Sequence, residues 1–277
     1  MQPTSEVVTA RPAPALAGFV DHYLGYRQAG FEPGLHRGLP SRHLTFIVAI
    51  GPRIDVVAQA DPGQRPEAYG CVLGGLQAAP ATIRHDGTQE GVAIALTPLG
   101  CRTLFGLPAA ELWSLSLELA DVAGPAGERL WAELQGRPGW PERFATVDRV
   151  LSELADHERQ VAPELAWAWR TVVRGSDQAV GALAGEIGWS RQHLTRRFNR
   201  EFGLGPKLAG RIARFERARR MIERVPSHVS LAQVAAACGY YDQAHLNRDF
   251  AELAGCAPTT LLNTEIPSVQ DGTHPLA

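Results

Sequence analysis

Apolar residues follow two rhythms along the chain. In the first hundred positions they form short β-rich runs at 44–48, 54–57, 71–73, 81–84 and 92–96, separated by Gly-Pro, Asp-Pro-Gly and Asp-Gly. That punctuation predicts an antiparallel sheet. A Pro- and Ala-rich arm precedes it. From Pro98 onward the spacing turns helical, with Leu104-Phe105, Leu112-Trp113, Leu130-Trp131-Leu134 and Phe144-Val147-Val150-Leu151-Leu154. Pro108, Pro125, Pro141 and Pro163 fit the first turns of successive helices. A sheet followed by helices predicts an α+β domain over residues 1–174, with Ser176 or Asp177 able to cap the next helix.

The second half contains an internal duplication. Leu194, Phe198, Gly203 and Pro206 recur 52 positions later as Leu246, Phe250, Gly255 and Pro258. Ahead of them Val180, Leu183, Ala184, Ile187 and Gly188 recur 51 positions later as Leu231, Val234, Ala235, Cys238 and Gly239. Each copy reads as a short helix with a small alanine at its tight contact, a glycine turn and a second amphipathic helix. This is the pattern of a helix-turn-helix, in which the second helix projects its outer side chains into the major groove of DNA. A packed helical hairpin explains one copy equally well, but the outward side chains of both copies suit DNA. Arg191, Gln192, Thr195, Arg196, Arg197 and Arg200 stand in the first, and Gln243, His245, Asn247 and Arg248 in the second. Arginine forks onto guanine, and Gln or Asn onto adenine. Between the copies, Pro206 to Arg224 predicts one helix about 28 Å long, with Leu208, Ile212, Phe215 and Ile222 buried. Arg211, Arg214, Arg217, Arg220 and Arg224 occupy much of its other side, as phosphate contacts or as a solvated face. Such a rod would space two recognition helices by about one DNA turn, ~34 Å.

These residues resemble the AraC/XylS transcription regulators. The match rests on Ser190-Arg191-Gln192-His193-Leu194-Thr195-Arg196-Arg197-Phe198, Gly205-Pro206-Lys207, Gly239-Tyr240-Tyr241-Asp242-Gln243-Ala244-His245-Leu246 and Gly255-Cys256-Ala257-Pro258-Thr259. The resemblance implies an all-α DNA-binding domain over 175–264 with two helix-turn-helix subdomains and seven helices; the tail after Thr264, rich in Pro, Ser, Gly and Thr, is expected to be mobile. It implies base contacts from Gln192, Thr195, Arg196, Gln243, Ala244, His245 and Arg248. Arg191, Arg197, Arg200, Arg211, Arg214 and Asn247 are the phosphate candidates, and His193 supports its helix. Ala244 departs from the larger polar residue common in the family, which leaves apolar contact to a thymine methyl. The stretches 39–48, 96–100 and 104–109 resemble the N-terminal sensor or dimerisation domains of such regulators.

Charge sharpens this picture. The 277-residue chain has 27 basic and 29 acidic side chains, which excludes binding by overall basicity. The halves, split after Arg174, carry about −4 and +2. Lys207 is the sole lysine beside 26 arginines. No apolar run approaches the roughly 18 residues that span a bilayer, and the first residues do not form a secretory signal, so a cytoplasmic bacterial protein is expected. Cys71, Cys101, Cys238 and Cys256 are too scattered for a Cys-x-x-Cys pair and read as buried thiols.

No cofactor is expected. His22, His36, His43 and His85 lack metal-site spacing, and the hydrolase, phosphate-loop and zinc-protease signatures are missing. Two cysteines in the first half cannot supply the clustered thiolates of an alkyl-accepting repair regulator. An effector pocket in the first half would draw on Tyr23, Tyr26, Arg42, His43, His85 and Trp113, and packing between the halves would occupy Trp131, Trp140, Trp167 and Trp169. The expected partners are double-stranded DNA, then RNA polymerase, a small-molecule effector and a second copy of the chain, with no membrane. The rival reading is an enzyme or metal-dependent ligand-binding module with a helical interaction domain.

Overall fold

The computed structural model describes residues 3–175, 179–224 and 229–264. The proposed cap at Ser176 or Asp177 and the tail beyond Thr264 lie outside them. All five predicted strands are present: β4 (Thr45–Ala49), β5 (Ile54–Ala58), β7 (Cys71–Gly74), β8 (Ala81–His85) and β9 (Gln89–Leu96). They are joined by β1 (Thr4–Ala10), β2 (Val20–Ala29), β3 (Gly34–Gly38), β6 (Glu67–Tyr69) and β10 (Ser116–Glu118). Two antiparallel sheets result, in the orders β1-β2-β9-β4-β7-β10 and β3-β8-β5-β6. The expected arm is therefore partly strand. Residues 4–10 pair in continuous register with β2, between Pro3 and the Pro12–Pro14 stretch.

The six-stranded sheet is covered on both faces, which explains why β4 reads as an unbroken apolar run. Phe46 and Val48 face the helices, whereas Ile47 joins Leu24, Tyr26, Val56, Val72 and Ile83 between the two sheets. The helices are α1 (Pro98–Phe105), α2 (Leu119–Ala123), α3 (Pro125–Gln135) and α4 (Trp140–Leu154). Prolines stand in the first turns of α1, α3 and α4, where a missing N–H costs nothing. Pro108 instead precedes a single 3-10 turn, Ala109–Leu112, which ends before an α-helix is built. Trp140 stacks over the backbone of Gly25, where a Cβ would lie 2.4 Å from the ring, and its indole N–H donates to Glu6 at 3.0 Å. Trp131 lies over Gly70. These two tryptophans thus pack helices onto the sheet within the first half, contrary to the expected role between the halves.

Trp169 does join the halves. It lies on α5 (Pro163–Arg174), and its ring is 5.7 Å from Phe198 and 4.7 Å from Phe202. α5 packs against α7 (Arg191–Phe202) and α8 (Pro206–Arg224). With α6 (Val180–Glu186), α9 (Leu231–Ala237), α10 (Gln243–Leu253) and α11 (Pro258–Thr264), the helical half has six described helices, and the seventh helix of the bundle is α5, which ends at Arg174 ahead of the expected boundary. Its core holds Leu183, Ala184, Leu194 and Phe198 in the first copy, Val234, Ala235, Leu246 and Phe250 in the second, and Ile212, Phe215 and Ile222 between them, as expected, while Leu208 is only half-buried.

Contacts from the first half reach into this unit. The Arg102 guanidinium donates to Glu201 at 2.7 Å, and the Arg42 backbone N–H donates to buried Glu216 at 3.1 Å. Gly203, at φ +80°, ends α7 in the left-handed conformation. A Cβ there would meet Trp113 at 3.0 Å.

Candidate nucleic-acid interface

Each recognition helix starts at a side-chain cap. The Ser190 hydroxyl accepts from the His193 N–H at 3.1 Å to open α7, and the Asp242 carboxylate accepts from the His245 N–H at 2.6 Å to open α10. Such caps satisfy donors otherwise orphaned in the first turn, and losing one costs about 1 kcal/mol. The preceding turns pass through Gly188 and Gly239, at φ +70° and +78°. Both positions are in the left-handed region that glycine adopts without strain. The 51- and 52-residue offsets therefore translate into two devices of the same design, each with a glycine turn and a side-chain cap.

The duplication extends to aromatic packing. Trp189 meets the edge of His193 at 4.7 Å, and Tyr240 meets His245 at 5.1 Å. His245 is thus the counterpart of the supporting His193 and is partly buried against its tyrosine. The same offset aligns Gln192, Thr195 and Arg196 with Ala244, Asn247 and Arg248. Gln192, Arg196, Ala244, Asn247 and Arg248 are exposed and Thr195 is half-buried. Asn247, expected at a phosphate, shares the register of Thr195, expected at a base. On α7, Arg191, Gln192, Thr195, Arg196 and Asn199 line one open groove. Asn199 was not singled out from the sequence, although it lies one turn beyond Thr195.

The arginines of α8 separate into different environments. Arg211 donates from Nε to Asp249 at 2.7 Å and also pairs with Glu252, which ties α8 to the second recognition helix. Arg214 stacks 4.9 Å from the Tyr240 ring and donates to the Gly239 carbonyl at 3.3 Å. Arg219 is buried and pairs with Glu223, and Arg220 pairs with Glu216. Much of the expected basic face is therefore engaged within the fold. Arg174, Arg191, Lys207 and Arg217 nevertheless line a cleft of about 910 Å³ between the two motifs, together with Arg211 and Arg214. Arg217 belongs to the arginine stripe expected on α8, whereas Arg174 and Lys207 were not among the expected phosphate contacts.

The six effector candidates do not converge. A cavity of about 450 Å³ between the sheets includes Tyr26 and His85. Tyr23 lies on the other side of the six-stranded sheet, where its hydroxyl donates to Asp148 at 2.7 Å; burial holds its pKa far above the usual phenol range. Arg42 and His43 stand at the junction of the halves. There His43 is 2.7 Å from Asp21, while burial lowers the histidine and the hydrogen bond lowers the aspartate. Trp113 packs at Gly203. His36 and Gln77 line the cavity instead, because the fold brings them across from β3 and the β7–β8 connection.

Residues 183–264 match the model of a helix-turn-helix domain, and residues 8–118 match a domain of unknown function, DUF6597. No curated protein matches the chain significantly. Among solved structures, wild-type ToxT from Vibrio cholerae with a bound unsaturated fatty acid is 10% identical. The match covers 97% of this chain and 98% of that one at a TM-score of 0.50, so the two-part fold is shared. An AraC-type regulator from Chromobacterium violaceum is 22% identical over 38% of this chain and 96% of its own, at a TM-score of 0.35. The C-terminal domain of AraT from Geobacillus stearothermophilus is 20% identical over 39% and 89%, at 0.34. Among the described residues, no helix is long and apolar enough to cross a membrane.

Proposed function

We infer, from a chain that carries an AraC-type helix-turn-helix domain and is a DNA-binding transcription regulator, that its two recognition helices read two successive major grooves. The observation that carries this reading is the repeated geometry: two capped helices, each presenting exposed polar side chains at the same register, joined by the 19-residue α8. At about 28 Å, α8 is near the ~34 Å of one DNA turn, and a bend in the duplex takes up the difference. Gln192, Thr195 and Arg196 read one half-site, and Ala244, Asn247 and Arg248 the other. Arg191, Arg197 and Arg200 hold phosphates beside the first. The reading unit begins at Pro163, because α5 supplies Trp169 to its core.

A small effector occupies the cavity between the sheets, as an unsaturated fatty acid is bound in the ToxT structure. Its occupancy reaches α7 and α8 through Arg102–Glu201 and Arg42–Glu216.

Because the two outward faces differ in sequence, the two half-sites differ and one chain needs no palindrome. The test uses the full chain on operators selected from random DNA, with five base pairs then inserted between the half-sites. That insertion turns one groove to the far side of the duplex, and affinity drops to that of a single motif. Full affinity at the half-turn spacing would refute two-groove reading.

A further inference from the structure

The register of the two sheets determines what kind of molecule the 450 Å³ cavity accepts. Successive residues of a strand point to opposite faces, and directly paired residues share one. On β3 and β8, His36 pairs with Ile83 and Gly34 with His85. His36, Ile83 and His85 therefore share the inner face, while Leu35, Arg37, Thr82 and Arg84 share the outer one. Arg84 pairs outside with Asp55 at 2.7 Å. On the six-stranded sheet, Arg27 pairs with Glu90 in register, on the face opposite Tyr26. There Glu90 is held by Arg27 at 2.8 Å and Arg143 at 2.6 Å. At the rim, Arg53 lies 3.6 Å from Glu118, and the Asp86 carboxylate accepts from the Thr88 N–H at 2.9 Å. The charged residues around this cavity thus turn their side chains to the outer faces or the rim, and its interior is formed by Tyr26, Thr45, Ile47, Val56, Ile83, the two histidines and Gln77, whose amide donates to the Gly38 carbonyl at 2.9 Å.

The histidines themselves are uncharged. The Nδ1 of His85 accepts from the Gly87 N–H at 3.2 Å, which requires a ring nitrogen without a proton. The Nδ1 of His36 faces the Gln89 amide nitrogen at 3.4 Å and is an acceptor too. Each ring therefore carries its proton on Nε2, and the two ring centroids are 5.7 Å apart. Burial and the neighbouring ring hold His36 down to about 4, and burial lowers His85. The interior thus offers an apolar lining, two neutral N–H donors and no cation. A carboxylate entering it would lose its hydration without gaining a countercharge.

We propose that the cavity takes an uncharged, largely apolar small molecule bearing an acceptor oxygen, which receives hydrogen bonds from the Nε2–H groups of His36 and His85. The proposal rests on the reading of this cavity as the effector site. Isothermal titration of the full chain near neutral pH with 2-decanone and with decanoate tests it, since the two probes share a chain length and differ in charge. The ketone binds at least about tenfold more tightly, weakens on His36→Phe, and loses its site on Ile83→Trp, which fills the cavity. Equal or tighter binding of decanoate, abolished by Ile83→Trp, overturns the ligand class while keeping the cavity as the effector site. Binding of neither probe, or ketone binding that survives Ile83→Trp, overturns the proposal and the effector site together.

Discussion

Arg211→Ala distinguishes two roles that an arginine on α8 can have. If Arg211 touches phosphate, its loss weakens binding to every DNA sequence alike and lowers the slope of log K against log salt by about 0.9. The structure gives it a different role. Its side chain is 28% exposed and its guanidinium lies 2.7 Å from Asp249, whose side chain is only 4% exposed. Removing one partner of a buried pair costs roughly 3–5 kcal/mol because the remaining charge has lost its solvent and its partner. Partial exposure of Arg211 places the cost at the lower end, about 3 kcal/mol. Glu252 is 62% exposed and adds little, as a surface pair contributes at most about 1 kcal/mol. Urea unfolding followed by circular dichroism measures the loss, and DNA titration across a salt series measures the slope, which stays at the wild-type value. Asp249→Asn in the Arg211→Ala background recovers part of the stability, since the amide leaves no buried charge. Wild-type stability combined with a slope reduced by about 0.9 would refute the reasoning and return Arg211 to the phosphate backbone.

Arg196→Ala and Arg248→Ala each relax base preference by about 1–3 kcal/mol, seen as reduced discrimination between an operator and its point mutants in competition binding. Trp169→Ala removes the ring between Phe198 and Phe202 and costs about 3–5 kcal/mol; a thermal scan showing an unchanged transition would exclude this ring from the core. His36 titrates at about 4 in the fold and 6.5 outside it, so the fold favours its neutral form. Its contribution is complete above pH 6.5 and is lost as the pH falls toward 4, roughly 2 kcal/mol between pH 7 and 5. Urea midpoints at the two pH values show a smaller difference in His36→Gln than in wild type.

The helical half was legible because its signals are local and repeated. Ser190 and Asp242 stand directly ahead of their helices, and Gly188 and Gly239 mark turns whose positive φ a glycine is needed to supply. The ion pairs of Arg211 were not legible, since its partners lie 38 and 41 residues away on another helix. An arginine stripe looks the same in sequence whether it meets solvent, phosphate or a buried aspartate. The cavity escaped for a related reason. Its histidines come from strands that no local pattern pairs, and β3, with only five residues and two terminal glycines, has too little apolar content to register as a strand. β2 was missed because both its faces are covered for much of its length, so it lacks the alternation that marks a half-exposed strand.

The seam at the end of α7 bears on how such a protein could be rebuilt from parts. Glu201 is 7% exposed and takes its hydrogen bond from Arg102, while Gly203 fits closely under Trp113. A hybrid that grafts this helical half onto a foreign sensor would strand a carboxylate and open a gap beneath the first recognition helix unless the graft brought its own arginine and indole. Here the two halves are not interchangeable cassettes. They share one joint, and sequences that recombine successfully must inherit both sides of it.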